Sequence, residues 1–90
     1  MLTKPLSEQT ALITGGATGI GRAFAEALLE AGVGHVVIAS RRQPVLKKAA
    51  SEMNAKHGGR VSAFIFDIRN QKQTETLVRE TIDEFGAVDI

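Results

Sequence analysis

Ninety residues allow at most one small domain, and 43% apolar with 23% charged residues is the balance of a chain that buries a core. Eleven Lys and Arg against ten Asp and Glu leave a formal net charge of +1, which gives no electrostatic footprint for nucleic acid or an anionic membrane. The absence of cysteine excludes a disulfide framework, a thiolate nucleophile and a Cys-ligated metal.

The first ten residues lack the charged-then-apolar profile of a secretory signal, and no run of about 18 apolar residues is present to span a bilayer. Residues 10–14 (TALIT) form a short apolar, β-prone run without strict alternation, as suits a strand covered on both faces. A glycine-rich turn, GGATGIG over residues 15–21, follows at once. Residues 22–31 then predict an amphipathic helix, with Ile20, Phe24, Ala27, Leu28 and Ala31 at helical spacing and Gly32 as its cap. Residues 35–40 (HVVIAS) predict a second buried strand, and Pro44 is placed to open a second helix with the apolar stripe Val45, Leu46, Ala49, Ala50 and Met53. His57-Gly58-Gly59 ends it. Residues 61–68 (VSAFIFDI) predict a third strand, Arg69-Asn70-Gln71 a turn, and residues 73–85 a third helix through Leu77, Val78, Ile82 and Phe85, capped by Gly86. Residues 87–90 open a fourth strand.

Strands alternating with helices imply right-handed parallel crossovers and helices on both faces of one sheet. The expected fold class is therefore α/β: the N-terminal βαβαβα(β) half of a Rossmann doubly wound parallel sheet in three αβα layers, with residues 1–90 as one incomplete nucleotide-binding domain. Chemistry is expected at the glycine turn. Gly15, Gly19 and Gly21 follow a strand and open a helix, where backbone must approach a pyrophosphate closely and the helix N-terminus offers free N–H groups. Thr14, Gly16, Ala17, Thr18 and Ile20 complete that loop, with the Thr18 hydroxyl as a further donor. In the context of a βαβ pattern this spacing is far more specific than a bare glycine triplet.

The pattern Thr14-Gly15-x-x-x-Gly19-x-Gly21 differs from G-x-G-x-x-G and resembles the opening of the short-chain dehydrogenases/reductases; "LITGGATGIGRA" as a whole is similar to that family's N-terminus, which makes Met1 the expected start. "VVIASRR", "FDIR" and "EFGAVDI" resemble its second strand and cofactor-selecting turn, its adenine-contacting segment and the approach to its fourth strand. The Gly32-Val33-Gly34 link is a residue longer than usual and is expected to alter only a surface turn. In this fold an acidic residue about 20 positions beyond the glycines binds the ribose 2′-hydroxyl of NAD. Ser40 holds that place here and Arg41 and Arg42 follow, so NADP(H) is the expected cofactor in preference to NAD(H): a carboxylate repels a 2′-phosphate, whereas a guanidinium pairs with it. Either arginine could instead be a solvated turn residue. Asp67 has two readings as well: a cap for the following turn, or, as the resemblance implies, an acceptor for the adenine amino group, with Ile68 adding a backbone contact.

The family's Ser and Tyr-x-x-x-Lys groups lie downstream of such a segment, and this chain has no tyrosine, so no catalytic residue is expected within it. His35 and His57 have no partner at ligand spacing, so no metal is expected. Glu75, Asp83 and Glu84 are read as solvated, and Ser7 and Ser51 show no activating base. "VVIASRRQPVLKKAASEM" is similar to 2,4-dienoyl-CoA reductases, which implies a parent enzyme reducing an unsaturated acyl-CoA with NADPH; a 3-oxoacyl thioester or other carbonyl reductase and a non-catalytic nucleotide-binding fragment are the alternatives. The resemblance further implies a homo-oligomeric parent, with no nucleic acid or membrane partner. Its location would be intracellular, either cytoplasmic or, with a C-terminal signal beyond Ile90, peroxisomal. The 90-residue chain alone is expected to expose an apolar sheet edge and associate.

Overall fold

The computed structural model describes residues 4–67, 69–86 and 88. A 3-10 turn, Leu6–Glu8, leads into strand β1, Thr10–Thr14; helix α1, Gly19–Ala31, returns the chain to β2, His35–Ser40. Helix α2, Gln43–His57, leads to β3, Val61–Ile65, and helix α3, Gln71–Phe85, follows. The three strands are parallel in the order β1-β2-β3, with Thr10 opposite His35 and Val36 opposite Val61. Both crossovers are therefore helical, as parallel neighbours require. Three left-handed glycines, Gly32, Gly58 and Gly86, terminate the three helices as the sequence predicts. The expected fourth strand and Ile68 lie outside the described residues.

β2 is central and buried on both faces, with Val36, Val37, Ile38 and Ala39 at most 3% exposed. On one face Ala11, Ile13, Val36 and Ile38 meet Ala25 and Leu29 of α1 and Leu46, Ala49 and Met53 of α2. On the other, Val37 and Ala39 meet Phe66 and Leu77, with Leu12, Phe64 and Phe85 packed around them. The continuous apolar run of β2 follows from this two-sided cover. Full burial of a side chain such as Leu46 or Met53 contributes about 1.5–3 kcal/mol.

Four expectations change. On α1 the buried line is Ala25 and Leu29, whereas Ile20 is 89% and Phe24 51% exposed. The helix is apolar around more of its circumference than one sheet can cover, and the small Ala25 lets it approach closely. On α3 the buried pair is Leu77 and Thr81, with Val78 and Ile82 largely outside; the Thr81 hydroxyl tolerates burial by donating to the Leu77 carbonyl at 2.7 Å. Finally, the Gly32-Val33-Gly34 link is more than a surface turn. Val33 is fully buried, and a Cβ on Gly34 would stand 2.3 Å from the Ser7 carbonyl oxygen, so the link seats the N-terminal turn on the core. β3 also ends sooner than predicted, at Ile65, although the Phe66 N–H still bonds the Ser40 carbonyl at 3.0 Å.

Arg60, just before β3, ties the layer together. Its guanidinium donates to the carbonyls of Leu29 and Val33 at the end of α1, and its Nε donates to the His57 carbonyl at the end of α2. The Leu29 and His57 carbonyls lie in the last turns of their helices, where no intrahelical donor reaches them, and Val33 belongs to the link that follows α1. On the opposite face His35 lies 2.8 Å from Ser62 Oγ and stacks on Phe85, with ring centroids 4.2 Å apart. Burial holds the His35 pKa below its ordinary 6.5, with Glu84 opposing and Arg60 reinforcing the shift. The unfolded chain therefore takes up the proton first as pH falls, and stability decreases through about pH 6.5 and below. Thermal melts should show a midpoint lower at pH 5.5 than at pH 7.5, and His35→Gln should shrink that difference; an unchanged difference would count against this account.

Candidate nucleotide site

The C-terminal ends of all three strands converge on one cavity of about 460 Å³, lined by Thr14, Gly15, Ala39, Ser40, Arg41, Phe66, Asp67 and Arg69. That size lies within the range of small-molecule sites, and strand C-terminal ends are where open α/β sheets bind ligands. Each wall has a local cause. β1 stops at Thr14 because Gly15 adopts φ +68°, and the Gly15 N–H donates to the Ala39 carbonyl at 2.8 Å, which holds the turn against the end of β2. The chain then enters α1 at Thr18, whose extended backbone caps the helix without a side-chain hydrogen bond, and the first turn holds no acidic residue. The opening amides of α1 thus lack an internal acceptor and carry the positive end of the helix dipole.

The turn is closed by contact between its two ends. A Cβ on Gly21 would stand 2.2 Å from the Gly15 carbonyl oxygen and 2.8 Å from its carbon. Only a residue without a side chain permits this approach of helix to loop. Ala17 turns its methyl inward at 4% exposure and anchors the loop in the core, whereas Thr18, Gly19 and Ile20 face outward.

Ser40 ends β2, and its Oγ accepts the Arg42 N–H at 3.3 Å, so the hydroxyl proton remains free to be donated elsewhere. This small turn projects Arg41 into the cavity. Arg42 is the N-cap of α2 and does not line the cavity. Asp67 is fixed at the backbone from both sides. Its N–H donates to Gln73 Oε1 at 2.7 Å and its carbonyl accepts from the Asn70 N–H at 2.9 Å; Asn70 in turn caps α3 by accepting the Gln73 N–H. The Asp67 carboxylate accepts from the Arg69 backbone N–H and Nε on Oδ1 and from Arg69 Nη2 on Oδ2, at 3.0, 3.1 and 3.0 Å. The turn-capping reading of Asp67 is thus seen directly. The Arg69 side chain, then its backbone N–H, holds the Asp67 pKa down at about 2, with Arg41 adding to the shift.

Of the residues expected from sequence, Thr14, Gly15, Ser40, Arg41 and Asp67 share the cavity, and residues 16–21 form the adjoining helix mouth. Phe66 and Arg69 also line the cavity; the resemblance of "FDIR" included them in the adenine-contacting segment without giving either a role of its own. By pattern alone Phe66 reads as one more strand residue and Arg69 as part of a turn; beside the resemblance, the spacing of opposite charges in Asp67-x-Arg69 was the further clue.

Such a parallel unit, with a glycine-tight turn between β1 and α1 and a cavity at its strand ends, is the N-terminal half of a Rossmann-type doubly wound fold. Over residues 9–90 the sequence matches the short chain dehydrogenase family, and the chain belongs to that family. It is 40% identical over 85 residues to the peroxisomal 2,4-dienoyl-CoA reductase of Danio rerio, covering 94% of this chain and 28% of that protein. It is 39% identical to the sorbitol dehydrogenase of Cereibacter sphaeroides, covering 94% and 31%. The L-sorbose reductase of Gluconobacter frateurii, solved with NADPH and L-sorbose, superposes with a TM-score of 0.83 at 32% identity, over 90% of this chain and 30% of that one. The chain thus spans about 30% of the length of these relatives. Among the described residues no helix is long and apolar enough to cross a membrane.

Proposed function

We propose that this chain is the NADP(H)-binding part of a short-chain reductase. The observation that carries the reading is the composition of the cavity where β2 ends: Ser40 and Arg41 stand where an acidic residue would select NAD, beside a loop whose glycines leave the α1 amides open. In this reading the amides of residues 15–21 and the dipole of α1 hold the diphosphate. The Ser40 hydroxyl and the Arg41 guanidinium hold the ribose 2′-phosphate, and Asp67 accepts a hydrogen bond from the adenine amine. Arg42, outside the cavity lining, is assigned a phosphate contact only by its place after Arg41, and Ile68 is assigned the adenine backbone contact by family resemblance. When bound, the dinucleotide supplies the hydride. The residues described here bind and orient it, and the groups that protonate a substrate belong to a longer parent enzyme. The NADPH complex of the L-sorbose reductase supports the choice of cofactor.

For the parent reaction, reduction of an unsaturated acyl-CoA is favoured by the 40% identity to the Danio rerio enzyme. Reduction of a sugar or other carbonyl is the second reading, favoured by the nearly equal identity to sorbitol dehydrogenase. The peroxisomal placement named for the first relative extends to this protein only in the acyl-CoA reading. Titrating the purified protein with NADPH and NADH, followed by nicotinamide fluorescence, tests the binding proposal. NADPH should bind at least about tenfold more tightly, the scale of one charge-assisted hydrogen bond. Equal affinities, or none, would refute it.

A further inference from the structure

We propose that Arg69 is a positioning residue for base recognition: by gripping Asp67 from three donors it leaves one acceptor site, on Oδ2, aimed at an exocyclic amine in the cavity. The inference rests on the nucleotide reading above and goes beyond it by assigning a role to a residue outside the glycine loop and the β2 turn. A carboxylate offers about four lone-pair positions. Here Oδ1 receives the Arg69 N–H and Nε, and Oδ2 receives Arg69 Nη2 alone, so the remaining position is on Oδ2.

Three features separate this arrangement from an ordinary surface ion pair. First, both side chains line the cavity where the three strands end. Second, Asp67 is the more enclosed member of the pair, its side chain 30% exposed against 73% for Arg69. Third, the fold does not need the contact. Exposed ion pairs add little to stability, and the Asp67 backbone is already held by Gln73 and Asn70. The fork instead removes the rotational freedom of the carboxylate, so little ordering remains to be done when a ligand arrives. An acceptor with no proton of its own attracts the 6-amino group of adenine and repels the 6-oxo group of hypoxanthine.

The probes are NADPH and its hypoxanthine analogue, titrated against the unaltered protein, Arg69→Ala and Arg69→Lys. The unaltered protein should prefer the adenine form at least about tenfold, the scale of a hydrogen bond to a charged group. Arg69→Ala should bring the two affinities within about threefold, chiefly by weakening NADPH. Arg69→Lys, which keeps the charge and loses the fork, should fall between them. In carboxyl NMR the Asp67 midpoint should move from about 2 toward the ordinary 3.8 in Arg69→Ala. A preference unchanged in Arg69→Ala, or an equal loss for both ligands, overturns the assignment while leaving the cofactor reading intact. Failure of the unaltered protein to bind NADPH removes both.

Discussion

Gly21→Ala should abolish tight NADPH binding, with affinity falling at least about thirtyfold, and should lower the stability of the free protein. The Cβ it introduces meets the Gly15 carbonyl oxygen at 2.2 Å, and both contacts under 3 Å are to backbone, so no side chain can swing aside. Either α1 must tilt away from the β1 turn or the turn must open, and each displaces the amides that face the ligand. Overpacking of this kind costs about 1–3 kcal/mol, more than alanine's helix preference over glycine, about 1 kcal/mol, can return. Ala27→Gly is the matched control. Ala27 is exposed on the same helix, so the change should lower the melting temperature through propensity alone and leave NADPH affinity unchanged. Calorimetry on both variants separates the effects. If Gly21→Ala binds NADPH as the unaltered protein does, the helix mouth is not the diphosphate site.

The second large effect is expected where β2 ends. Ser40→Asp combined with Arg41→Ala should reverse the coenzyme preference, with the ratio of NADPH to NADH affinity changing by about a hundredfold or more. Two contributions add in the same direction. Removing Arg41 deletes a cation that lines the cavity, and charge-assisted hydrogen bonds to phosphate are about twice as strong as neutral ones. Placing a carboxylate at residue 40 sets like charge against the 2′-phosphate and offers an acceptor to a 2′-hydroxyl. The fold should tolerate both changes. Arg41 is exposed, and the bond from the Arg42 N–H to the Ser40 side chain can be made as well by an aspartate oxygen. Arg42→Ala, by contrast, should shift the ratio little, because Arg42 caps α2 outside the cavity. An unaltered ratio in the double variant would remove the selectivity argument.

The limits of β1 and β2 and the helix stops were legible because each is set by local chemistry. β1 runs into Gly15, β2 starts after Gly34, and each α-helix ends on a glycine in the left-handed region. The glycine turn was legible for the same reason, since Gly15 and Gly21 answer to steric rules that hold in any sequence. The orientation of α1 was not legible. Its sequence carries two overlapping apolar lines, one through Ile20, Phe24, Ala27 and Ala31 and the other through Ala25 and Leu29, and only the position of the sheet decides between them. Arg69 was given no role of its own because its partner depends on where the chain turns after β3. The support that Gln73 gives the Asp67 backbone leaves no mark in the sequence, since a glutamine in the first turn of a helix is ordinarily solvated.

The three bonds of Arg60 have a consequence for how the protein is made. The carbonyls it serves belong to Leu29, Val33 and His57, so the end of the first helix, closed locally by Gly32, gains its tie to the rest of the sheet only some thirty residues later. On the ribosome, the opening strand–helix pair is therefore expected to gain its full stability only once the start of the third strand has emerged. The nucleotide loop therefore matures together with the sheet rather than ahead of it, and a nascent chain shorter than about sixty residues should be readily cut by protease in the segment that later forms α1.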